Sequence, residues 1–262
     1  MDGPLRPTKR PRLALFELAS CAGCQLQILN CEDELVDLLQ LVEFVYFKEA
    51  ISETGNEYDI ALIEGAVTRE ADETRLRAIR ERAPLVITLG ACAHPVGIPG
   101  LKNAHDSEEP GRLVYGDAAG YFPSTLARPV DAIIPVDAHI PGCPIHKDEF
   151  LSVVTALLVG RRPPIPGYPV CVECRLAENP CAFDRGALCL GPVTRAGCGA
   201  LCPSYGSRCY GCRGPADDPN VSSFEALLEK NGLNAEDVLA EYVLYNGYRA
   251  LGDQALTMEV SR

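Results

Sequence analysis

The chain has 262 residues, 47% hydrophobic and 23% charged, a balance that excludes a disordered, collagen-like or coiled-coil protein and suffices for a buried core. With 24 basic against 36 acidic side chains the formal charge is −12, and no basic stripe is present for nucleic acid or an anionic membrane. Thirteen cysteines stand against two methionines and no tryptophan.

The first residues, MDGPLRPTKRPRLALF, carry basic residues and prolines but no apolar h-region, and Lys9-Arg10-Pro11-Arg12 does not open a twin-arginine signal. No run of 18 apolar residues is present, so no spanning helix and no membrane partner are expected. The expected location is cytoplasmic. Thiols stay reduced there, and clustered cysteines read as metal ligands rather than disulfides.

Residues 12–18 (RLALFEL) read as a strand. Residues 25–40 carry apolar side chains at 26, 28, 29, 35, 36, 38 and 39, the stripe of one helix. Residues 43–47 (EFVYF) are β-rich, and 58–67 (YDIALIEGAV) form a continuous apolar run, as in a strand buried on both faces. Residues 69–82 predict a charged amphipathic helix, 84–89 (PLVITL) another buried strand, and 97–131 a Gly- and Pro-rich excursion. A weaker strand is expected at 132–136 (AIIPV), where Pro135 suggests an edge or a strand end. A helix over 147–159 follows, then a linker at 161–169 (RRPPIPGYP). Residues 171–212 hold eight cysteines with almost no periodic apolar pattern, so metal ligation must supply much of their folding free energy. The tail, 222–262, reads as helical, with a capping box at Ser222-x-x-Glu225 and a further cap at Asn234. The expected fold is α/β: a flavodoxin-like doubly wound parallel sheet followed by a small irregular Cys-rich domain with a helical tail. Its expected bounds are a tail at 1–11, the sheet domain at 12–165 and the Cys-rich domain at 166–262.

Cys21 and Cys24 (SCAGC) follow the first strand, Cys92 (GAC) the strand ending at Leu89, and Cys143 (PGCP) the strand at 132–136. Loops after strand C-termini gather at one edge of a parallel sheet. Four thiols from three loops are therefore expected to converge, with Gly23, Gly90 and Gly142 letting backbone approach a bulky group. Glu64 ends a neighbouring strand and should face the same rim. Cys171, Cys174, Cys181, Cys189, Cys198, Cys202, Cys209 and Cys212 suffice for two further four-thiolate sites, and Cys31 remains as a packed core residue. Four thiolates suit zinc or an iron–sulfur cluster. A rim site built from distant loops is unlike a zinc knuckle and favours iron–sulfur, and a colourless zinc-stabilised structural or interaction protein is the rival from another class.

The segments SCAGCQLQ (20–27), IEGAV (63–67), LGACA (89–93), GCP (142–144), CVEC (171–174), CLGPVTRAGC (189–198) and CYGC (209–212) resemble the small subunit of NiFe hydrogenases over roughly residues 12–214. The wording is most similar to the cytoplasmic, NAD(P)-linked or sulfhydrogenase delta-subunit type. The resemblance implies a proximal 4Fe–4S cluster on Cys21, Cys24, Cys92 and Cys143. It implies a distal 4Fe–4S cluster on Cys171, Cys174, Cys181 and Cys189, with Cys171 where membrane-bound relatives have histidine. A medial 4Fe–4S cluster falls to Cys198, Cys202, Cys209 and Cys212, Cys202 being the fourth ligand that three-cysteine relatives lack. Ile145 stands where relatives often have a second proline after GCP. The function so implied is electron transfer in a soluble hydrogenase, an oxidoreductase acting on hydrogen. The NiFe centre lies in a large-subunit partner, and FAD and NAD(P) in diaphorase-type flavin and iron–sulfur subunits, or ferredoxin serves as acceptor. A hydrogenase feeding a heterodisulfide reductase is the closest alternative. This chain carries no bond-breaking residue in that scheme. Glu64 and Glu17 are candidate proton relays, Glu17 otherwise reading as an edge-strand surface residue. His94 reads as a structural histidine, His105, His139 and His146 show no ligand spacing, and the acidic runs near 69–82 and 106–109 read as solvated surface.

Overall fold

The structure is a computed structural model that describes residues 10–105 and 108–251. The expected tail at 1–11, the 106–109 run and the C-terminal stretch thus fall partly outside the described residues. Five strands, β1 (Arg12–Glu17), β2 (Glu43–Phe47), β3 (Ile60–Glu64), β4 (Leu85–Leu89) and β5 (Ala138–Ile140), pair in parallel in the order β2-β1-β3-β4-β5. This is the flavodoxin-like order, with its switch point between β1 and β3.

Alternate side chains go to opposite faces of the sheet. Leu13, Leu15, Ile60, Leu62, Ile87 and Leu89 pack on one side, under α1 (Gly23–Leu29), α2 (Asp33–Leu41) and, through Phe150, Val153 and Val154, α6 (Lys147–Leu158). Ala14, Phe16, Ala61, Ile63 and Val86 pack on the other, against Leu76 and Ile79 of α3 (Glu70–Arg82). Burial on both faces explains the unbroken apolar runs of β3 and β4. Asp72, buried within the supposed solvated run, accepts from the N–H groups of Thr68 (3.2 Å) and Arg69 (3.0 Å) and so starts α3. Between β4 and β5 lie the short helix α4 (Gly90–Ala93), a 3-10 segment (Ile98–Ala104), α5 (Glu109–Tyr115) and a second 3-10 turn (Gly116–Tyr121).

Three expectations need correction. Residues 25–40 are two helices, not one. Glu32 takes a positive φ of 49° between α1 and α2, and the break turns Cys31 into the core, fully buried. The last strand is Ala138–Ile140 rather than 132–136. Val130–Ala132 forms a 3-10 turn, Pro135 has no N–H to donate, and pairing begins only at Asp137, whose N–H donates to Val86 O (2.9 Å) while its carboxylate accepts from Val86 N (2.7 Å). Ile134 goes instead into the core. Third, β1 lies inside the sheet, so Glu17 is not on an edge strand.

The Cys-rich segment holds α7 (Val170–Leu176) and α8 (Leu201–Ser204), then α9 (Val221–Lys230) and α10 (Ala235–Leu251). It closes on a small core of Val170, Phe183, Leu188, Leu190, Phe224 and Leu228. The cap of α9 is Asn220, which accepts from Ser223 N (2.9 Å), so the expected Ser222 box is displaced by two residues. Asn234 caps α10 as expected, accepting from the N–H groups of Glu236 and Asp237. No helix among the described residues is long and apolar enough to cross a membrane.

Arg213 joins this segment to the sheet. Its guanidinium makes a bidentate pair with Glu149 of α6 (2.6 and 3.0 Å) and donates to the carbonyls of Ala196 (2.7 Å) and Pro141 (2.9 Å). The two side chains are 2% and 7% exposed, so both charges depend on each other. A Cβ on Gly197 would fall 2.3 Å from Arg213 Nη2, at a φ of +114° that only glycine adopts readily. Arg213→Met, which strands the Glu149 charge, is expected to cost about 3–5 kcal/mol, and adding Glu149→Met should recover most of it. Thermal unfolding of the three proteins measures this.

Candidate metal centres

The switch-point edge collects the first thiols. After β1 the chain turns against β3, with Leu18 N donating to Glu64 O (2.8 Å) and Ala19 and Ala66 exchanging backbone bonds. Cys21 is exposed at this turn, and Cys24 is buried in the first turn of α1. Cys92 lies in α4, and Ala91 N donates to Gly142 O (2.7 Å), tying that helix to the loop that carries Cys143. Glu64, 2% exposed, ends β3, and its carboxylate accepts from the N–H groups of Cys24 (3.1 Å) and Gln25 (3.3 Å). Gln25, also buried, reaches Glu17 with its side-chain amide (3.5 Å).

These groups feel each other electrostatically. Burial pushes the Cys92 thiol up to about 12, and the charges of Cys143, Cys21 and Glu64 add to the shift. Burial raises Cys24 above the ordinary thiol range, helped by Glu64, Cys92 and Cys143. It raises Cys143, with Cys21 and Glu64 adding. Glu64 itself is raised by burial, against the pull of the Cys24 and Gln25 donors.

The remaining eight thiols are carried by the Cys-rich segment. Burial holds Cys171 at about 12, with Cys189, Cys174 and Cys181 adding repulsion. Burial pushes Cys212 up to about 11, where a backbone bond from Cys143 opposes the shift and the charges of Cys198, Cys143 and Cys202 reinforce it. Burial raises Cys209 further, and Cys189 and Cys212 add to it. Cys209 N donates to Cys189 Sγ (3.2 Å). Cys202 is an exposed residue of α8 whose sulfur is only partly desolvated; that desolvation raises it, and Cys198 and Cys189 add to the shift. Cys31 is apart from all of them, in the core beneath α1.

The space around the thiols suits a bulky sulfur-ligated group. A Cβ built on Gly90 would stand 2.4 Å from Cys24 Sγ, and one on Gly191 would meet Cys171 Sγ at 3.3 Å and Cys189 Sγ at 3.4 Å. Buried thiols grouped so that their ionised forms repel are poor company without a cation, and an all-sulfur donor set is the one iron–sulfur clusters use.

The sequence profile of the family described as NADH ubiquinone oxidoreductase, 20 Kd subunit, matches residues 21–157, a span that runs from Cys21 through Cys143. The chain belongs to that family. The delta subunit of sulfhydrogenase 2 from Pyrococcus furiosus is 42% identical over 221 residues, covering 83% of this chain and 92% of the relative. The G subunit of the vhu F420-non-reducing hydrogenase from Methanococcus voltae is 36% identical over 277 residues, covering 94% and 90%. Among solved structures, a chain of an NAD+-reducing NiFe hydrogenase in its H2-reduced state superposes with a TM-score of 0.54 at 31% identity, over 60% of this chain and 96% of that one. Within the family the chain is thus of the NiFe hydrogenase small-subunit type.

In this small subunit the structure brings Glu64 to the first thiols, with Glu17 one amide away. Sequence reasoning missed Gln25, whose only signal is its place directly after Cys24. It missed Arg213, placed directly after Cys212, and the carboxylate of Glu173, which accepts from the N–H groups of Gly197 (2.8 Å) and Ala200 (3.1 Å) on either side of Cys198. It also left His94 and His139 apart, although their rings lie tilted by 35° with centroids 3.6 Å apart beside Asp131. Gly90→Ala is expected to push Cys24 off its position and lower the iron bound per chain. Gly120→Ala, where a Cβ meets nothing within 4 Å, should bind iron as the wild type does. Iron analysis after anaerobic purification decides between these outcomes.

Proposed function

We propose that this chain is the electron-transfer subunit of a soluble, cytoplasmic NiFe hydrogenase and holds three 4Fe–4S clusters. Cys21, Cys24, Cys92 and Cys143 would hold the proximal one in a sheet domain at 12–165. Cys198, Cys202, Cys209 and Cys212 would hold the medial one, and Cys171, Cys174, Cys181 and Cys189 the distal one, in a domain at 166–262. When bound, such clusters take up and hand on single electrons at potentials set by thiolate ligation, hydrogen bonds and burial. The NiFe centre is assigned to a large-subunit partner and FAD with NAD(P) to diaphorase-type subunits, in keeping with the printed name of the NAD+-reducing relative. The wider span shared with the F420-non-reducing hydrogenase subunit favours a second reading, in which the same chain feeds a different acceptor such as a heterodisulfide reductase.

The observation that carries the reading is the mutual arrangement of the thiols. Cys143 acts electrostatically on Cys212, and Cys209 N donates to Cys189, which supports a serial order for the proposed groups rather than isolated knuckles. The chain's own residues do the rest. Backbone N–H groups at Cys209, Gly191 and Gly211 are directed at Cys189 or Cys209 sulfur and stabilise its negative charge. Burial of Cys24 and Cys209 excludes water from the ligands. Glu64, whose pKa burial raises against the pull of the Cys24 and Gln25 N–H groups, sits beside the first thiols, and the Gln25 side-chain amide donates to Glu17.

The test is anaerobic purification of the complex. About twelve irons per copy of this chain, with nickel in the companion subunit, are expected from three four-iron centres. A colourless zinc protein would reject the reading. Cys92→Ala should remove one cluster's signal and abolish hydrogen-dependent dye reduction. Cys202→Pro should convert the medial centre to a 3Fe–4S form with its paramagnetic signal, and an assembled protein without that signal would break the medial assignment. The flavin or heterodisulfide-reductase subunit that co-purifies separates the two acceptors.

A further inference from the structure

Three metal-ligating side chains from separate segments meet beyond the end of α4. His94 directly follows α4, Asp131 sits in the 3-10 turn Val130–Ala132, and His139 is the middle residue of β5. One ligand atom from each lies within 4.8 Å of the others. His94 Nδ1 stands 3.3 Å from Asp131 Oδ2, and His139 Nε2 stands 4.0 Å from the same oxygen. A tetrahedral zinc ion with bonds of about 2.0–2.1 Å spaces its ligand atoms roughly 3.3 Å apart. The His94–Asp131 spacing already fits; the His139–Asp131 spacing must shorten by somewhat under about 1 Å, and the two rings, with centroids 3.6 Å apart, must fan open for both to reach one ion.

The surroundings are those of a ligand set. Thr88, fully buried in β4, places its hydroxyl 2.6 Å from His139 Nδ1. With that hydroxyl accepting from Nδ1–H, the lone pair of Nε2 is turned toward Asp131, which is how metal-bound imidazoles are oriented. Both imidazoles also line a cleft of ≈ 500 Å³ shared with Pro141, Arg162 and Arg213, which leaves room for a fourth ligand. We propose that His94, Asp131 and His139 form a site for one zinc-class divalent cation, completed by a water or an anion from the cleft. Two imidazoles and a carboxylate form a borderline donor set, chemically distinct from the all-thiol groups. The ion would bind β5 and the Asp131 turn to the segment that carries Cys92. The inference does not rest on the hydrogenase reading.

The experiment uses the assembled, iron-loaded protein, exposed to zinc and then freed of excess metal. About one zinc per chain is expected, with nitrogen and oxygen neighbours at about 2.0–2.1 Å and no sulfur shell near about 2.3 Å in the zinc absorption spectrum. His139→Gln should lose the zinc and keep its iron. Asp131→Asn supplies the same readout if the histidine variant fails to assemble. Thr88→Val, which removes only the orienting hydroxyl, should weaken zinc binding about 10–100-fold. No retained zinc in the wild type, a sulfur shell around it, or equal zinc in an assembled ligand variant overturns the site.

Discussion

The constraint on which this structure turns is the burial of thiols in company. A single buried cysteine is an inert, slightly polar hydrophobe, as Cys31 shows in the core beneath α1. Gathering the other twelve into groups changes their chemistry. At Cys24, Cys92, Cys171 and Cys212 burial resists the charge and the neighbouring thiols add to the penalty, so these thiols are pushed toward their neutral forms. Only a polyvalent positive centre converts that liability into cohesion, and the Cys-rich segment, with its small apolar core, has little else to fold on.

A second device recurs around the thiols. Glu64 collects two backbone N–H groups at the start of α1, and Glu173 collects two around Cys198. In both, a carboxylate fixes the backbone next to a cysteine by satisfying donors that a tight turn would leave unpaired. The arrangement costs electrostatic repulsion with the nearby sulfur, visible in the way Glu64 raises Cys24 and Cys92. Backbone order around the ligands is thus obtained from anionic side chains in an already acidic chain.

The sheet was legible because burial on both faces leaves a local signature. β3 and β4 are short unbroken apolar runs, and the rule that loops gather at strand C-termini places Cys21, Cys24, Cys92 and Cys143 without any structure. What failed to show was nonlocal or conformational. Nothing in the apolar stripe of 25–40 announces the positive φ at Glu32. The start of β5 is set by Asp137 pairing with Val86, far away in sequence, and Ile134 is apolar because it faces a helix-covered core rather than because it is in a strand. The cap at Asn220 competes with the neighbouring Ser222 on geometry alone. His94, Asp131 and His139 carry no spacing motif, since three different elements deliver them.

The guanidinium of Arg213 touches the backbone two residues before Cys143, through Pro141, and two residues before Cys198, through Ala196, while its own residue follows Cys212. One rigid planar group therefore ties the backbone beside Cys143 to the backbone beside Cys198 and Cys212. If those sulfurs hold clusters as proposed, the separation between the two banks is the width of a tunnelling barrier, and transmission through such a barrier falls exponentially with its width. Under the proposed cluster assignment, one guanidinium hydrogen-bonded to the backbone of both banks ties that width to a single side chain.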